Sequence, residues 1–208
     1  EITDVTLPSV FEEMLKDQVG YIRISEFTDV TPDQFREAFS SLKKKGMEKL
    51  IVDLRGNPGG LLTSVCSILN EILPEGLIVY TEDKYGERQE QRSEGKTPLD
   101  MPFAVLVNEN SASASEIFAG AVQDHGIGTI VGTTTYGKGV VQELLPLKDG
   151  SAVKLTISDY YTPKGNSINN TGIRPDVEVK LDPELLNQEE ITYEKDNQLQ
   201  EALKVLKK

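Results

Sequence analysis

The chain has 208 residues, of which 38% are hydrophobic and 27% are charged, values that are ordinary for a soluble globular protein with a sizeable core. Its formal net charge of -12 at pH 7 argues against a nucleic-acid surface and against binding to anionic lipid head groups. A single cysteine, Cys66, excludes an internal disulfide, and one cysteine with one histidine is too few for a compact zinc site. We therefore expect neither a metal ion nor a cofactor.

Strand-like and helix-like patterns alternate along the first two thirds of the chain. Short apolar or alternating runs predict strands at residues 19–24, 50–54, 77–80, 103–107 and 128–132. Apolar residues at helical spacing predict helices at residues 31–45, 61–74 and 114–125. Such alternation is typical of an α/β fold, in which helices cross over between strands of one sheet.

The remaining segments predict shorter elements around this alternation. An extended segment is expected at residues 1–11, and the polar stretch 83–100 indicates an exposed hairpin or flap. Residues 140–157 resemble a hairpin turned at 148–150. A last short strand at 177–180 and a C-terminal helix at 198–207 complete the pattern.

The stretch between the strand at 103–107 and the following helix carries three serines, Ser111, Ser113 and Ser115. A serine at the start of a helix lies beside free N–H groups and the positive end of the helix dipole, which favour an oxyanion. Ser113 and Glu116 also fit the capping-box pattern, so a purely structural helix cap is the alternative explanation.

A serine nucleophile needs a base within hydrogen-bond reach. His125 lies twelve residues after Ser113 on the same predicted helix, which separates the two by roughly 18 Å unless the helix breaks. Lys138, flanked by glycines, is the remaining candidate, since a desolvated lysine can act as a general base, although an exposed turn lysine is the alternative. Gln142, four residues further along a predicted strand, would share its face and orient the amine.

The glycine-rich turn at 56–60 also lies between a predicted strand and a predicted helix, as nucleotide-binding loops do. It lacks both the G-x-G-x-x-G spacing and a terminal Lys-Ser or Lys-Thr pair. We therefore do not expect nucleotide binding.

Five motifs resemble, in order and spacing, those of the carboxyl-terminal processing proteases, also called tail-specific proteases. They are Asp53-Leu54-Arg55-Gly56-Asn57-Pro58-Gly59-Gly60, Ser111-Ala112-Ser113-Ala114-Ser115-Glu116, Gly137-Lys138-Gly139-x-x-Gln142, Tyr161-Thr162-Pro163-x-Gly165 and Gly172-Ile173-x-Pro175-Asp176. Each motif alone is weak evidence, whereas five in order are specific. The resemblance covers roughly residues 1–181.

The resemblance implies a serine endopeptidase with a Ser–Lys catalytic pair on an α/β, crotonase-like core of mixed β-sheet. By this resemblance Ser113 is the nucleophile, Lys138 the general base and Gln142 the residue that positions the lysine. The amides of Gly59 and Ala114 would form the oxyanion hole, in agreement with one donor from a glycine turn and one from a helix start.

The resemblance also carries expectations about partners and location. Substrates would be unfolded or C-terminally exposed proteins and peptides, with a homo-oligomer allowed, and the location would be extracytoplasmic, in the periplasm, cell envelope or secreted, from a precursor that can be membrane-anchored. Family members usually carry a regulatory PDZ domain before the segment that resembles residues 1–24, and nothing in this chain matches it. We therefore expect residues 1–208 to form a single protease-core domain without a PDZ domain.

Two other functions fit the same fold class. One is a catalytically silent module that binds peptides or lipids, and the other is an acyl-CoA enzyme of the broader crotonase fold. The combination of Ser113, Lys138 and Gln142 favours the protease over both, because neither alternative needs a lysine opposite a serine. Asp124 matches an acidic position that matters in some family members and stays outside the predicted catalytic set.

Overall fold

A computed structural model describes residues 7–185 and 191–207. The strands are β1 (Val10–Met14), β2 (Val19–Ile24), β3 (Lys49–Asp53), β4 (Gly76–Asp83), β5 (Arg88–Ser93), β6 (Phe103–Val107), β7 (Thr129–Gly132), β8 (Val140–Pro146), β9 (Ala152–Tyr161) and β10 (Val177–Glu178). The α-helices are α1 (Thr31–Lys44), α2 (Leu62–Ile72), α3 (Ala114–His125) and α4 (Asn197–Val205).

The larger sheet has the strand order β1-β2-β3-β6-β7-β10. All its neighbouring strands run parallel except β1 and β2, which are antiparallel. Helices α1, α2 and α3 lie in the connections between its parallel strands. The predicted α/β fold with a mixed sheet, crossover helices and a C-terminal helix is therefore confirmed.

Both faces of this sheet are covered, which explains the continuous apolar run of β6, whose five residues are all buried. Val105 and Val107 lie in the core that also holds the apolar faces of α1, α2 and α3. Ala104 and Leu106 point the other way, into a second core with α4. The side-chain alternation of one strand thus joins two helical layers.

The smaller sheet has the order β5-β4-β9-β8 and is antiparallel throughout. Its hairpin of β8 and β9 confirms the hairpin predicted at residues 140–157, although β9 continues to Tyr161. The exposed hairpin predicted within 83–100 corresponds to the pairing of β5 with β4. No separate second sheet was predicted, because the pairing of β4 with β9 joins residues that are far apart in the chain.

Three adjacent parallel strands of the larger sheet, β3, β6 and β7, end at the same edge. Parallel strands place the segments that follow them side by side, as at the ligand-binding edge of open α/β sheets. The glycine turn follows β3, the serine stretch follows β6, and the segment that contains Lys138 follows β7. Topology therefore brings the three predicted motifs together.

None of the helices within residues 7–185 and 191–207 has the length and apolar character needed to cross a membrane. In the same part of the chain, no cluster of three or more His, Cys, Asp or Glu side chains is placed to hold a metal ion.

Candidate active site

Ser113 lies at the junction between β6 and α3 in a strained backbone conformation. Its φ is 54° and its ψ is -114°, and α3 begins at the next residue, Ala114. Non-glycine residues rarely adopt a positive φ, and such strain is concentrated at functional sites. A short strand, a strained turn and a helix start therefore present this serine at the sheet edge, with its side chain half-buried.

The two neighbouring serines have structural hydrogen bonds that distinguish them from Ser113. The hydroxyl of Ser111 is buried and donates to the carbonyl oxygen of Leu54 at 2.8 Å. The hydroxyl of Ser115 is also buried and donates to the carbonyl oxygen of Asn57 at 3.0 Å. Both hydroxyls therefore hold the start of α3 against the turn after β3. Ser113 is the most exposed of the three serines.

The glycine turn packs directly against the predicted nucleophile. A Cβ atom placed on Gly59 would lie 2.8 Å from the Cβ atom of Ser113 and 3.0 Å from the amide nitrogen of Ala114. Gly59 also has a φ of 108°, which side chains disfavour. Only a glycine allows this close approach, and it brings both predicted oxyanion-hole residues beside Ser113.

The two predicted oxyanion donors differ in their present hydrogen bonds. Ala114 is the first residue of α3, and its amide has no acceptor among the described residues. The amide of Gly59, in contrast, donates to the side-chain oxygen of Asn57 at 2.8 Å. This hydrogen bond occupies the Gly59 donor in the structure, and it was not predicted from the sequence.

Glu116 connects the serine to the segment that carries the predicted base. This carboxylate is completely buried. Its Oε2 atom accepts hydrogen bonds from the amides of both Ser113 and Lys138, each at 2.9 Å. Its Oε1 atom accepts from the amide of Gly137 at 2.7 Å and from the hydroxyl of Thr135. The sequence indicated Glu116 only as part of a capping box, and its role as a bridge to residues 135–138 was missed.

Lys138 is placed by its backbone, whereas its side chain is exposed. The adjacent Gly139 is required by close packing, since a Cβ atom there would lie 2.3 Å from the amide nitrogen of Asn169. Gln142 lies on β8 and is exposed as well. Among the described residues no hydrogen bond joins the side chains of Lys138, Gln142 and Ser113, so their catalytic roles stay predictions.

His125 and Cys66 are both unsuited to act on Ser113. Helix α3 continues unbroken from Ala114 to His125, and the Nε2 atom of His125 lies 2.7 Å from the carbonyl oxygen of Leu77. Burial raises the pKa of the Cys66 thiol to about 12, which keeps it protonated and unreactive at neutral pH. The prediction that His125 is not the base is thereby supported by geometry.

A buried ionic network supports the first residues of the glycine turn. One guanidinium nitrogen of Arg55 lies 2.6 Å from the carboxylate of Asp53 and 2.7 Å from that of Asp196. Tyr21 also donates its hydroxyl to Asp53 at 2.7 Å. Burial lowers the pKa of Arg55, but the two carboxylates raise it by more, so that the pKa lies above its ordinary value. The network thus fixes the turn to the segment before α4.

Asp124 has a structural partner away from Ser113. Its Oδ2 atom accepts a hydrogen bond from the amide of Lys164 at 2.8 Å, within the fourth of the five sequence motifs. This contact positions the turn at 162–165 rather than any of the predicted catalytic side chains.

Comparison with known proteins decides the family. Residues 18–179 match the model of a single protein family, described as peptidase family S41. The chain belongs to peptidase family S41. This match includes all five residues predicted to form the site, and it confirms the resemblance to the carboxyl-terminal processing proteases.

Named S41 relatives include several processing proteases. The chain is 43% identical over 188 residues to a carboxyl-terminal-processing protease of Synechocystis, covering 90% of this chain and 44% of that protein. It is 40% identical over 173 residues to a chloroplastic C-terminal processing peptidase of Tetradesmus obliquus, covering 82% and 37%. The chain therefore spans less than half the length of these relatives.

A solved S41 structure shows the same fold. The photosystem II D1 C-terminal processing protease superposes with a TM-score of 0.78 at 33% sequence identity. The match covers 86% of this chain and 50% of that protein. The architecture described above is thus the architecture of a processing protease over the shared half.

Proposed function

We propose that this chain is the protease core of a serine endopeptidase that processes or degrades proteins from near their C-termini. The observation that carries the proposal is the strained, half-buried Ser113, which stands between the amide of Ala114 and the Glu116 carboxylate that also binds the Lys138 backbone. This arrangement combines a half-buried serine, a helix-start amide without a described acceptor and a backbone link to the segment that carries Lys138.

In the proposed reaction the neutral amine of Lys138 accepts the hydroxyl proton of Ser113 as the serine oxygen bonds to the carbonyl carbon of the scissile peptide. The resulting oxyanion is stabilised by the Ala114 amide and by the Gly59 amide once it leaves Asn57. The protonated Lys138 then donates its proton to the departing amine, and the carbon–nitrogen bond breaks. Water, deprotonated by Lys138, hydrolyses the acyl ester and restores Ser113.

The exposed side chain of Lys138 is compatible with this role because its backbone amide is anchored to the same Glu116 oxygen as the Ser113 amide. Gln142, in the proposed arrangement, orients the amine without supplying a charge. A carboxylate in its place would favour the protonated amine and weaken the base.

The substrates we propose are unfolded or C-terminally exposed polypeptides, handled outside the cytoplasm. Support comes from the family and from relatives whose names describe C-terminal processing. We further propose, on the sequence alone, that residues 1–208 act as one protease-core domain, with a regulatory PDZ domain and any self-association belonging to the whole protein.

The proposal is tested by labelling the purified chain with a fluorophosphonate probe and by mapping the ends of cleaved peptides by mass spectrometry. Ser113→Ala is expected to abolish both signals while the protein stays folded, because the start of α3 is still held by Glu116 and Ser115. Ser40→Ala, at an exposed serine of α1, is the matched control and should keep labelling.

Two outcomes would contradict the proposal. If Ser113→Ala still turns over substrate and Ser111→Ala does not, the wrong serine has been assigned. If the folded wild-type chain neither reacts with the probe nor cleaves peptides, the silent binding module becomes the better description.

A further inference from the structure

The hairpin of β8 and β9 exposes an unusual number of large apolar side chains. Six of them, between 40% and 65% exposed, are Leu144, Leu145, Leu147, Val153, Leu155 and Ile157. Leu145 stands opposite Val153 in the register, and Leu155 lies two residues further along β9. These three therefore share one face, which we call the apolar hairpin face.

No strand within the described part of the chain pairs with the outer edge of β8, which is the last strand of the smaller sheet. Two backbone hydrogen bonds lie at the ends of the β8–β9 pairing: the amide of Leu147 donates to the carbonyl oxygen of Ser151, and the amide of Tyr160 donates to that of Gly139. They show that the odd-numbered residues of this segment direct their backbone groups toward β9. Alternation along an antiparallel strand then turns the backbone N–H and C=O groups of Val140, Gln142 and Leu144 outward.

This outward series has a defined end. The next residue in it is Pro146, which has no N–H group to offer. The free edge therefore presents three residues for pairing and then stops, as natural edge strands do when continuous pairing would lead to aggregation.

The free edge also leads to the proposed active site. Strand β8 begins two residues after Lys138, whose amide shares the Oε2 atom of Glu116 with the amide of Ser113. The start of the free edge is therefore close to the strained serine.

We infer that the free edge of β8 binds an extended segment of the polypeptide substrate as an added strand, with every second substrate side chain packed on the apolar hairpin face. The inference rests on the proposed function and adds a substrate class to it, namely extended segments with alternating apolar residues. Strand addition is a common mode of peptide recognition, in which backbone bonds give affinity and alternate side chains give selectivity.

A second copy of the chain is the other candidate partner for this edge. The net charge of -12 disfavours association of two identical copies through electrostatic repulsion. The nearness of the start of β8 to the Glu116 carboxylate that binds the Ser113 amide favours the substrate instead.

The test measures peptide binding by fluorescence anisotropy in the Ser113→Ala background, where no cleavage occurs. The probe is a labelled peptide of about ten residues, the length of a long strand, with valine at every second position. Leu144→Pro removes an outward N–H group while the inward ladder bonds stay, and Leu144→Thr keeps that group and shortens the side chain. We expect Leu144→Pro to weaken binding about tenfold or more and Leu144→Thr to weaken it much less.

A second variant and a second peptide test the apolar hairpin face. Leu155→Thr keeps a strand-forming residue and should weaken binding of the valine peptide, whereas a peptide with serine at the alternate positions should bind poorly to every variant. Circular dichroism confirms that each variant is folded. If Leu144→Pro and Leu155→Thr, both folded, bind the valine peptide as tightly as their parent, the inference is wrong.

Two controls separate this inference from its alternatives. Fluorophosphonate labelling of Leu144→Pro with Ser113 intact should match wild type. If the Ser113→Ala chain fails to bind the valine peptide while the wild-type chain is labelled normally, the strand-addition site is wrong and the protease assignment stands. Sedimentation analysis reveals a copy interface: if Leu144→Pro changes the mass of the particle and not peptide binding, the edge joins two copies.

Discussion

At the scale of single residues, the buried carboxylate of Glu116 organises the site. It receives hydrogen bonds from three backbone amides, those of Ser113, Gly137 and Lys138. Because all three amides are donors, both carboxylate oxygens of Glu116 must act as acceptors. A buried group with this many partners has large effects when changed, because its neighbours would be left unsatisfied.

Glu116→Gln is expected to lower both stability and activity, since the new NH₂ group would face amides that also donate. The free energy of unfolding should fall by about 1–3 kcal/mol, the usual penalty for buried donors without acceptors. Urea unfolding measures the first effect and peptide cleavage the second. Glu109→Gln, at an exposed carboxylate bound to the Thr133 hydroxyl, is the control and should change neither. Equal behaviour of the two variants would refute the bridging role.

Lys138 tests the proposed base through the pH dependence of cleavage. A general base must be unprotonated, so the rate should rise with pH, and this rising limb should vanish in Lys138→Ala, with a loss of about 10²–10⁴-fold. Lys138→Arg should also be inactive, because guanidinium stays protonated in proteins. An active arginine variant, or an unchanged limb in the alanine variant, would move the role to another base.

At the scale of elements, the site was predictable wherever the contacts were local. The strand–turn–helix around Ser113, the exclusion of His125 by helix rise and the hairpin at 140–157 follow from neighbouring residues. The hydrogen bond from Gly59 to Asn57 and the bridge of Glu116 to Lys138 do not, because backbone direction and long-range contacts leave no pattern in a single sequence. The same reason hid the smaller sheet, whose β4 and β9 are far apart in the chain.

The contact between the glycine turn and α3 predicts a contrast between two alanine variants. Gly59→Ala would place a Cβ atom 2.7 Å from the carbonyl oxygen of Ala112, against the backbone, in addition to the penalty for a positive φ. Gly56→Ala has the positive φ, 73°, but no atom within 4 Å of the new Cβ. We expect Gly59→Ala to lose nearly all activity and Gly56→Ala to retain it, with a stability loss of about 1–3 kcal/mol from strain alone.

Peptide cleavage and thermal unfolding of both variants check this contrast. Equal loss of activity in the two variants would show that backbone strain, rather than the contact of the glycine turn with Ser113, limits the reaction.

At the scale of the whole molecule, the larger sheet separates two apolar cores, and a buried polar network extends from it toward α4. Tyr21 is buried and donates its hydroxyl to Asp53, which in turn binds Arg55 and, through it, Asp196 near the C-terminus. Burial, and next the charge of Asp53, raise the pKa of Tyr21 above its ordinary value.

The raised pKa of Tyr21 predicts a loss of stability in alkali. In the unfolded chain this tyrosine ionises near pH 10, whereas in the folded protein it stays neutral, so its contribution is complete below about pH 10 and declines as the pH rises further. The decline attributable to one proton is at most about 1.4 kcal/mol per pH unit. Urea unfolding between pH 8 and about pH 11 should show that the free energy of unfolding falls less steeply with pH in Tyr21→Phe than in wild type. Tyr85→Phe, at an exposed ring, should keep the wild-type slope.

The hydrogen bond between Gly59 and Asn57 affects which polypeptides near Ser113 can be cleaved under the proposed function. Under the proposed function, only the Ala114 amide could stabilise an oxyanion until the Gly59 amide turns away from Asn57. A bound polypeptide would then be cut only if it stays bound until the glycine turn has rearranged. The lifetime of the bound state, rather than the frequency of encounters, would decide which polypeptides are cut.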